Sequence, residues 1–432
     1  MKAAAVGALG AAVAQGALGG RALGAGAPEG RAQGGNPVLR IGVIGCGGRG
    51  TGAIVQALRA DPDTKLVAVG DLFEDRMSAF LANVTKEMGD AGKGRIDVEG
   101  RKFLGFDAYE KVLASGVDVV ILTTHPYARP IHLAAAVKAG KHVFAEKPLA
   151  VDATGLRAVL AAAGEAKQKN LALQVGFCWR YAQAERETFR RVNAGEIGKV
   201  MSVHSNYHTS TLTKHPRQPG WSDTEFQIRN WWHFVWVSGD HIVEQAVHSV
   251  DRMMWAMGDV LPLRCTGLGG RIARTGPESG NAYDHFTAIY EFPEGRRGIL
   301  TCRQIDACSN DNSDYVYGTK GEAHVNGFNS THTLSDLEGK ETWKYTGEST
   351  DMYQNEHDAL FASIRKGTPI NDGERGAMTT LMAIMGRMAA YTGQTITWDQ
   401  VLNSKEDLMP KDLKLGPMET PAWAVPGRTK LV

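Results

Sequence analysis

The sequence predicts an α/β fold whose first half is a doubly wound parallel sheet. Three observations predict it. Short apolar runs alternate with helical stretches from residue 38 to residue 176. A glycine-rich turn joins the first run to the first helix. Hydrophobic residues make up 43% of the 432, against 22% charged, which is enough apolar material for one or two cores and far from a disordered composition. The length alone sets a prior of about two to three domains.

Composition also excludes several classes. The 48 basic and 47 acidic residues leave a net charge of +1, so no nucleic-acid partner is expected from the net field. No apolar run long enough to span a bilayer follows the N-terminus, so no stable membrane insertion is expected. Five Cys without Cys-x-x-Cys spacing indicate neither a zinc site nor a disulfide scaffold. Residues 1–37 stand apart, with 10 Gly and 12 Ala. Lys2, a weakly apolar run over 3–14, and small-x-small sites at Ala12-Val13-Ala14 and Ala25-Gly26-Ala27 form an export-signal pattern. This segment is therefore expected to be a disordered leader and the protein to be periplasmic or otherwise exported. Its low hydrophobicity suits a twin-arginine route, but the twin Arg is missing and the start site stays open. The alternative is a cytoplasmic protein with a low-complexity terminus.

The elements follow in order. Residues 38–44 read as a buried strand, and Gly45-Cys46-Gly47-Gly48-Arg49-Gly50 fits G-x-G-x-x-G directly after it. A helix is expected over 51–60 and a second strand over 65–69, ending at Gly70-Asp71. In such a turn Gly45 permits the tight bend, Gly47 lets a pyrophosphate approach the backbone, and Gly50 lets the helix pack close. The helix N-terminus then offers N–H groups to phosphates. Asp71 lies 21 residues past Gly50, where an acid holds ribose hydroxyls and repels a 2′-phosphate. The cofactor read from this arrangement is NAD rather than NADP. The alternation continues with a strand at 117–122 ending in Thr123-Thr124-His125-Pro126, a helix at 129–139, and a strand at 142–145 ending in Glu146-Lys147-Pro148. A helix at 154–169 and a strand at 171–176 complete it. Ligands bind outside strand C-termini, so Thr123, Thr124, His125, Pro126, Glu146 and Lys147 join the cofactor-binding candidates.

The run Gly140-Lys141-His142-Val143-Phe144-Ala145-Glu146-Lys147-Pro148 resembles the signature of the Gfo/Idh/MocA oxidoreductases. Three later runs resemble the same family: Gly176-Phe177-Cys178-Trp179-Arg180-Tyr181, Gly195-Glu196-Ile197-Gly198-Lys199-Val200, and Glu-x-x-x-His-x-x-Asp from Glu244 to Asp251. The resemblance covers residue 38 to the end. It implies an NAD-binding Rossmann domain over 38–180, then a substrate-binding and oligomerisation domain over 181–432 with a large, mostly antiparallel sheet. Strands at 201–207, 264–268, 286–290 and 297–302 and helices at 355–366 and 375–392 suit that domain. It further implies a homo-oligomer, dimer or tetramer, paired through the exposed sheet face.

The resemblance makes Lys147 the group that bonds the reacting oxygen and His248 the acid/base. A neutral imidazole can take a hydroxyl proton near neutral pH. Read as one helix, residues 244–255 place Glu244, His248, Asp251 and Trp255 on one face. Glu244 stands where many family members carry Asp. It is a third catalytic candidate, and Asp251 is read as a packing partner. Arg180 and Tyr181 match a family Arg-Tyr/Phe pair near the cofactor, with a structural role for Arg180 as the alternative. Trp179, Tyr181, His208, Arg229, Trp232, His285 and Arg303 are substrate candidates beside Lys147, Glu244 and His248. The scattered His residues repeat no metal-ligand spacing, so no metal is expected. The implied activity is NAD-dependent oxidation of a hydroxyl on a sugar, glycoside or related polyol, including conversion of a glycoside to its 3-keto form. Exported relatives tend to hold NAD tightly. Two alternatives stay open: a glycoside hydrolase acting through transient oxidation with NAD, and a non-catalytic NAD-binding regulatory module.

Overall fold

The computed structural model describes residues 37–329 and 331–432. The leader expected over 1–37 lies outside these residues except for Pro37. Residues 38–432 form one compact unit built on two sheets.

The first sheet has six parallel strands in the order β3-β2-β1-β4-β5-β6. These are β1 (Leu39–Ile44), β2 (Thr64–Asp71), β3 (Lys102–Leu104), β4 (Val119–Leu122), β5 (His142–Ala145) and β6 (Leu173–Val175). Helices α1 (Gly48–Ala60), α2 (Glu74–Met88), α3 (Ala108–Ala114), α4 (Arg129–Lys138) and α5 (Ala153–Gln168) connect them. Strand order reverses at β1, so β1 and β4 diverge from a crevice at their C-termini, the usual ligand position in an open α/β sheet. All four residues of β4 are buried, as a central parallel strand covered on both faces requires. The sheet tolerates no side chain at Gly42, where a Cβ would lie 2.6 Å from Val112 of α3.

The second sheet has nine strands in the order β14-β13-β12-β11-β7-β10-β9-β8-β15, with only β7 and β10 parallel. They are β7 (Val200–Thr209), β8 (Arg264–Gly270), β9 (His285–Glu291), β10 (Arg297–Gln304), β11 (Ser313–Gly318), β12 (Gly321–Asn326), β13 (His332–Asp336), β14 (Glu341–Lys344) and β15 (Ile396–Thr397). Helices α6 (Gln183–Asn193), α7 (Asp223–Arg229), α8 (Val235–Ser238), α9 (His241–Glu244), α10 (Val247–Ala256), α11 (Met352–Arg365), α12 (Gly373–Thr392) and α13 (Trp398–Leu402) complete the chain. Alternate residues of β10 are buried, as expected for a sheet with one face on the core.

Two expectations need correction. Helix α1 starts at Gly48, inside the glycine motif, so Gly48, Arg49 and Gly50 form its first turn. The single helix expected over 244–255 is broken into α9 and α10 at Gln245 and Ala246. The two parts of the chain also pack together: Leu360 and Phe361 of α11 share a core with Ile41, Val43 and Phe144, and Leu173 N–H donates to the Ile370 carbonyl. No helix among the described residues is long and apolar enough to cross a membrane.

Candidate active site

The three motif glycines do different work. Gly45 has φ +102°, and a Cβ there would lie 2.5 Å from Thr124 N. That is a left-handed, crowded turn only glycine adopts without strain. A Cβ on Gly50 would lie 2.1 Å from the Gly45 carbonyl oxygen, so Gly50 seats α1 against the turn. Gly47 and Gly48 meet nothing within 4 Å. They present open backbone at a helix N-terminus whose first N–H groups have no intrahelical acceptor. Thr123 Oγ1 donates to Gly45 O at 2.6 Å and fixes the turn. Asp71 ends β2, and its carboxylate accepts from Cys46 N at 2.6 Å and Phe73 N at 2.9 Å. Each oxygen keeps a lone pair for a ribose hydroxyl. These features fit a dinucleotide.

A cavity of about 940 Å³ is lined by this turn, by Asp71, and by Lys147, Glu244 and His248. Lys147 follows β5 and is followed by a cis Lys147–Pro148 bond. Its ammonium donates to the Glu244 backbone carbonyl at 2.7 Å and to Glu244 Oε1 at 3.1 Å. The broken helix makes the first contact available. In a continuous helix His248 N–H would take the Glu244 carbonyl. Here Gln245 and Ala246 N–H both donate to His241 O, and His248 N–H turns to Gln245 O. The Glu244 carbonyl is released to Lys147. Burial raises the Glu244 carboxyl above its usual range against the opposing pull of Lys147 and Arg129.

His248 is buried but makes no protein hydrogen bond through its ring among the described residues; Trp179 packs edge-on at 4.5 Å between ring centroids and Phe177 at 6.1 Å. Burial, then the charges of Lys147 and Arg252, hold its imidazole well below the ordinary value of 6.5, so it is neutral and free to accept a proton. Burial likewise lowers His125 to about 3.

Among the sequence candidates, Gly45, Gly47, Gly48, Arg49, Asp71, Thr123, Thr124, His125, Glu146, Lys147, Trp179, Arg229, Trp232, Glu244 and His248 line the cavity. Two of these reach it with their charge already committed. Arg49 bonds Glu146 at 2.5 Å and Glu356 at 3.0 Å, which leaves its backbone, not its guanidinium, for a phosphate. Arg229 pairs with Asp75 at 2.9 Å and Glu225 at 2.8 Å and lies over the Phe73 ring, so it clasps the two halves together rather than reaching inward.

Others lie off the cavity. Arg180 and Tyr181 follow Trp179 in the tight turn Cys178–Tyr181, which rotates them away. Arg180 binds Asp251 at 2.8 Å and Asp259 at 2.8 Å, so its charge is committed to an ion-pair network. Burial raises the Tyr181 phenol, and its carbonyl accepts from Asn355. His208 and His285 lie on strand positions whose side chains face away from the core. His208 bonds Thr301 and His285 bonds Asp284. Arg303, on β10, donates to Ser309 O. Cys46 is buried with its thiol on Gly70 O, Gly50 is sealed under the turn, and Pro126 opens the buried turn Pro126–Ala128.

The structure adds residues that no motif announced. Arg129 is buried and donates to Thr124 O at 2.7 Å and Pro148 O at 2.6 Å, tying the ends of β4 and β5 together. Trp231 stacks on Trp232 at 3.7 Å between centroids and against His125 at 5.0 Å. Met409, Pro410, Lys411 and Leu413, from the irregular C-terminal tail, form a further wall. Five of the nine Trp fall between residues 179 and 236, a local enrichment that signals the second; nothing in the composition of the tail marks the third.

The family model described as an oxidoreductase family with an NAD-binding Rossmann fold matches residues 39–177, and the GFO/IDH/MocA C-terminal domain model matches residues 186–324. The myo-inositol 2-dehydrogenase of Thermotoga maritima is 24% identical over 372 residues, covering 84% of this chain and all of that one. The inositol 2-dehydrogenase of Serratia proteamaculans is 27% identical over 221 residues, which spans 51% of this chain and only 55% of its own length. The crystal structure of an aldose-aldose oxidoreductase from Caulobacter crescentus superposes with a TM-score of 0.66 at 19% identity, covering 83% of this chain and 99% of that one.

Proposed function

The chain belongs to the Gfo/Idh/MocA family of NAD-binding oxidoreductases, and from that premise we propose that it oxidises a secondary hydroxyl of a cyclic polyol, sugar or glycoside. The observation that carries the reading is the meeting of Lys147, Glu244 and His248 in one cavity with the open Gly47–Gly48 backbone and Asp71. Inositol dehydrogenases among the relatives support a polyol substrate.

NAD, when bound on the glycine turn, supplies the hydride acceptor. His248, neutral and unbonded, takes the hydroxyl proton at a ring nitrogen. Lys147 donates a hydrogen bond to the same oxygen as negative charge develops, and Glu244 holds the ammonium in place through its carbonyl and carboxylate. Trp179 fixes the imidazole edge-on and keeps water from its face. Trp232 offers an aromatic face for a pyranose or inositol ring. The division into a cofactor part over 38–180 and a substrate part over 181–432, export of the mature chain, and homo-oligomerisation belong to the same proposal.

The test is to load the purified protein with NAD and follow reduced nicotinamide with myo-inositol, scyllo-inositol, aldoses and glucosides. Turnover with at least one supports the reading. A protein that binds NAD and reduces it with none would sink it.

A further inference from the structure

A second hollow, of about 880 Å³, lies between α7, the 271–280 loop and tail residues 417–423. Three arginines line it, Arg217, Arg271 and Arg274, against two carboxylates, Asp223 and Glu419. Arg217 is paired with Asp223 at 2.7 Å. The other two have no carboxylate partner among the described residues. Arg271 donates only to backbone carbonyls, those of Arg274, Ser279, Gly280 and Ala282, and lies over the Trp423 ring at 5.1 Å. Arg274 is 3% exposed, with its Nε lacking any partner. The nearby Asp284 is turned to the N–H groups of Ile272, Ala273 and Arg274, and Asp240 to Tyr283 and Tyr391. A buried cation without a bonded counter-charge is costly, and the flat Trp423 ring over the neighbouring Arg271 suits a ligand with an apolar part.

Arg274 also begins two hydrogen-bonded paths into the active cavity. Its Nη2 bonds Gln304, and Gln304 Nε2 donates to Gln245 Oε1 at 2.6 Å. Its Nη1 meets His233, whose Nε2 lies 3.3 Å from Thr213 O. Gln245 and Thr213 both line the active cavity, and Gln245 sits at the helix break beside Glu244. The C-terminal tail joins the two hollows as well, with residues 409–413 walling one and 417–423 the other.

We propose that this hollow is an effector site for a small organic oxyanion, a carboxylate or phosphate ester, held by Arg271 and the field of Arg274, and read out at the helix break through Gln304 and Gln245. Bound anion shifts the position of Gln245 and with it the Glu244–Lys147 contact, so anion and polyol change each other's affinity by the same factor. Only the kinetic arm of the test rests on the proposed polyol oxidation.

The experiment titrates citrate and, separately, inorganic phosphate into the NAD-loaded full chain by calorimetry, with chloride as the control for salt. One saturable site per chain with a Kd below about 1 mM is expected for at least one probe, weakened at least about tenfold in Arg271→Gln and in Trp423→Ala. Which probe binds separates carboxylate from phosphate recognition. Gln304→Leu is expected to keep the binding and lose its effect on polyol KM and on hydrogen exchange of the 241–248 backbone, a readout that needs no turnover. No saturable binding by either probe overturns the site, as does wild-type binding in both Arg271→Gln and Trp423→Ala. Unmoved exchange and KM in the wild type overturn the coupling. A chain that binds the anion but oxidises no polyol counts against the proposed function and leaves the effector site standing.

Discussion

Gly47 and Gly50 sit three residues apart in one motif and are expected to fail in opposite ways. A Cβ on Gly47 meets nothing within 4 Å, and its φ of −81° suits any residue. Gly47→Ala therefore costs the folded state less than about 1 kcal/mol, the loss of a glycine helix cap. The methyl group projects where the pyrophosphate must approach the backbone. Losing two charge-assisted N–H bonds at about 1.5–3 kcal/mol each removes about 3–6 kcal/mol of NAD binding, or about 10²–10⁴ in Kd. Gly50→Ala instead drives its Cβ to 2.1 Å from Gly45 O and 2.9 Å from Thr123 Oγ1. The turn must open, at an overpacking cost of about 1–3 kcal/mol. Calorimetric melts without NAD and NAD titrations separate the two. Gly47→Ala is expected to melt like the parent and bind NAD poorly; Gly50→Ala is expected to melt early. Parental NAD affinity in Gly47→Ala would refute the placement of the cofactor on this turn.

The other expectations concern charge. Lys147→Met should lower kcat about 10²–10³-fold with NAD affinity unchanged, the usual loss for one oxyanion donor; unchanged turnover would remove Lys147 from the chemistry. His248→Asn should lower kcat about 10²–10⁴-fold. Because burial holds the wild-type imidazole well below 6.5, the acid limb of its kcat/KM profile should fall below pH 6.5, with activity lost as pH drops through the folded value; a limb above 6.5 would contradict a buried neutral base. Arg180→Met leaves the buried Asp251 with Arg375 and the Thr379 hydroxyl and should cost up to about 3 kcal/mol of stability without altering NAD affinity; weakened NAD binding in a folded variant would restore Arg180 to the site. Burial raises Glu185 from 4.5 to about 7, so the folded state holds a proton that the unfolded chain releases. That stabilisation is full below pH 4.5 and lost as pH rises to about 7, so Glu185→Gln should gain about 3 kcal/mol relative to wild type between about pH 4 and pH 8. A constant gap in denaturant melts across that range would show that the carboxyl is not buried.

Local signals were the readable part of this chain. The parallel sheet could be placed from the sequence because each strand is short, apolar and followed by a turn with its own chemistry, as Ile44 is by Gly45 and Ala145 by Glu146-Lys147. Helix α2 follows no motif, and strands β11 to β14 are marked only by turn glycines such as Gly339; β14 is largely exposed and has no apolar alternation to detect. Cavity residues near the motifs were legible for the same reason. His208 and His285 lie outside the cavity lining because β7 and β9 extend over them and turn them to the face away from the core, and which face a strand residue takes reverses with a shift of one position. For Arg180 the sequence left a cofactor role and a structural role both open, because its partners, Asp251 and Asp259, lie over 70 residues away. The wall formed by Met409 to Leu413 has no local signature, since an irregular tail becomes part of a site only through where its anchors hold it. Those anchors are the Asp152 carboxylate on Leu408 N and the bonds of Asp223, Thr224 and Gln227 to Gly416 and Met418.

The break between α9 and α10 joins the fold to the chemistry. Heptad-like spacing correctly put Glu244 and His248 near each other, but an unbroken helix would have consumed the Glu244 carbonyl in its own ladder. The wider turn, with Ala246 N–H reaching back five residues to His241, gives up that bond and supplies Lys147 with a rigid acceptor. A backbone carbonyl cannot rotate away or take up a proton, so it holds the ammonium at one position whatever the charge on the Glu244 carboxyl. This explains how Glu can stand at a position where the family resemblance implies Asp. The extra methylene moves the carboxylate, but the contact that fixes Lys147 at 2.7 Å belongs to the main chain. Glu244→Gln should therefore lower turnover far less than Lys147→Met, and a loss of equal size would show that the carboxylate, rather than the carbonyl, positions the lysine.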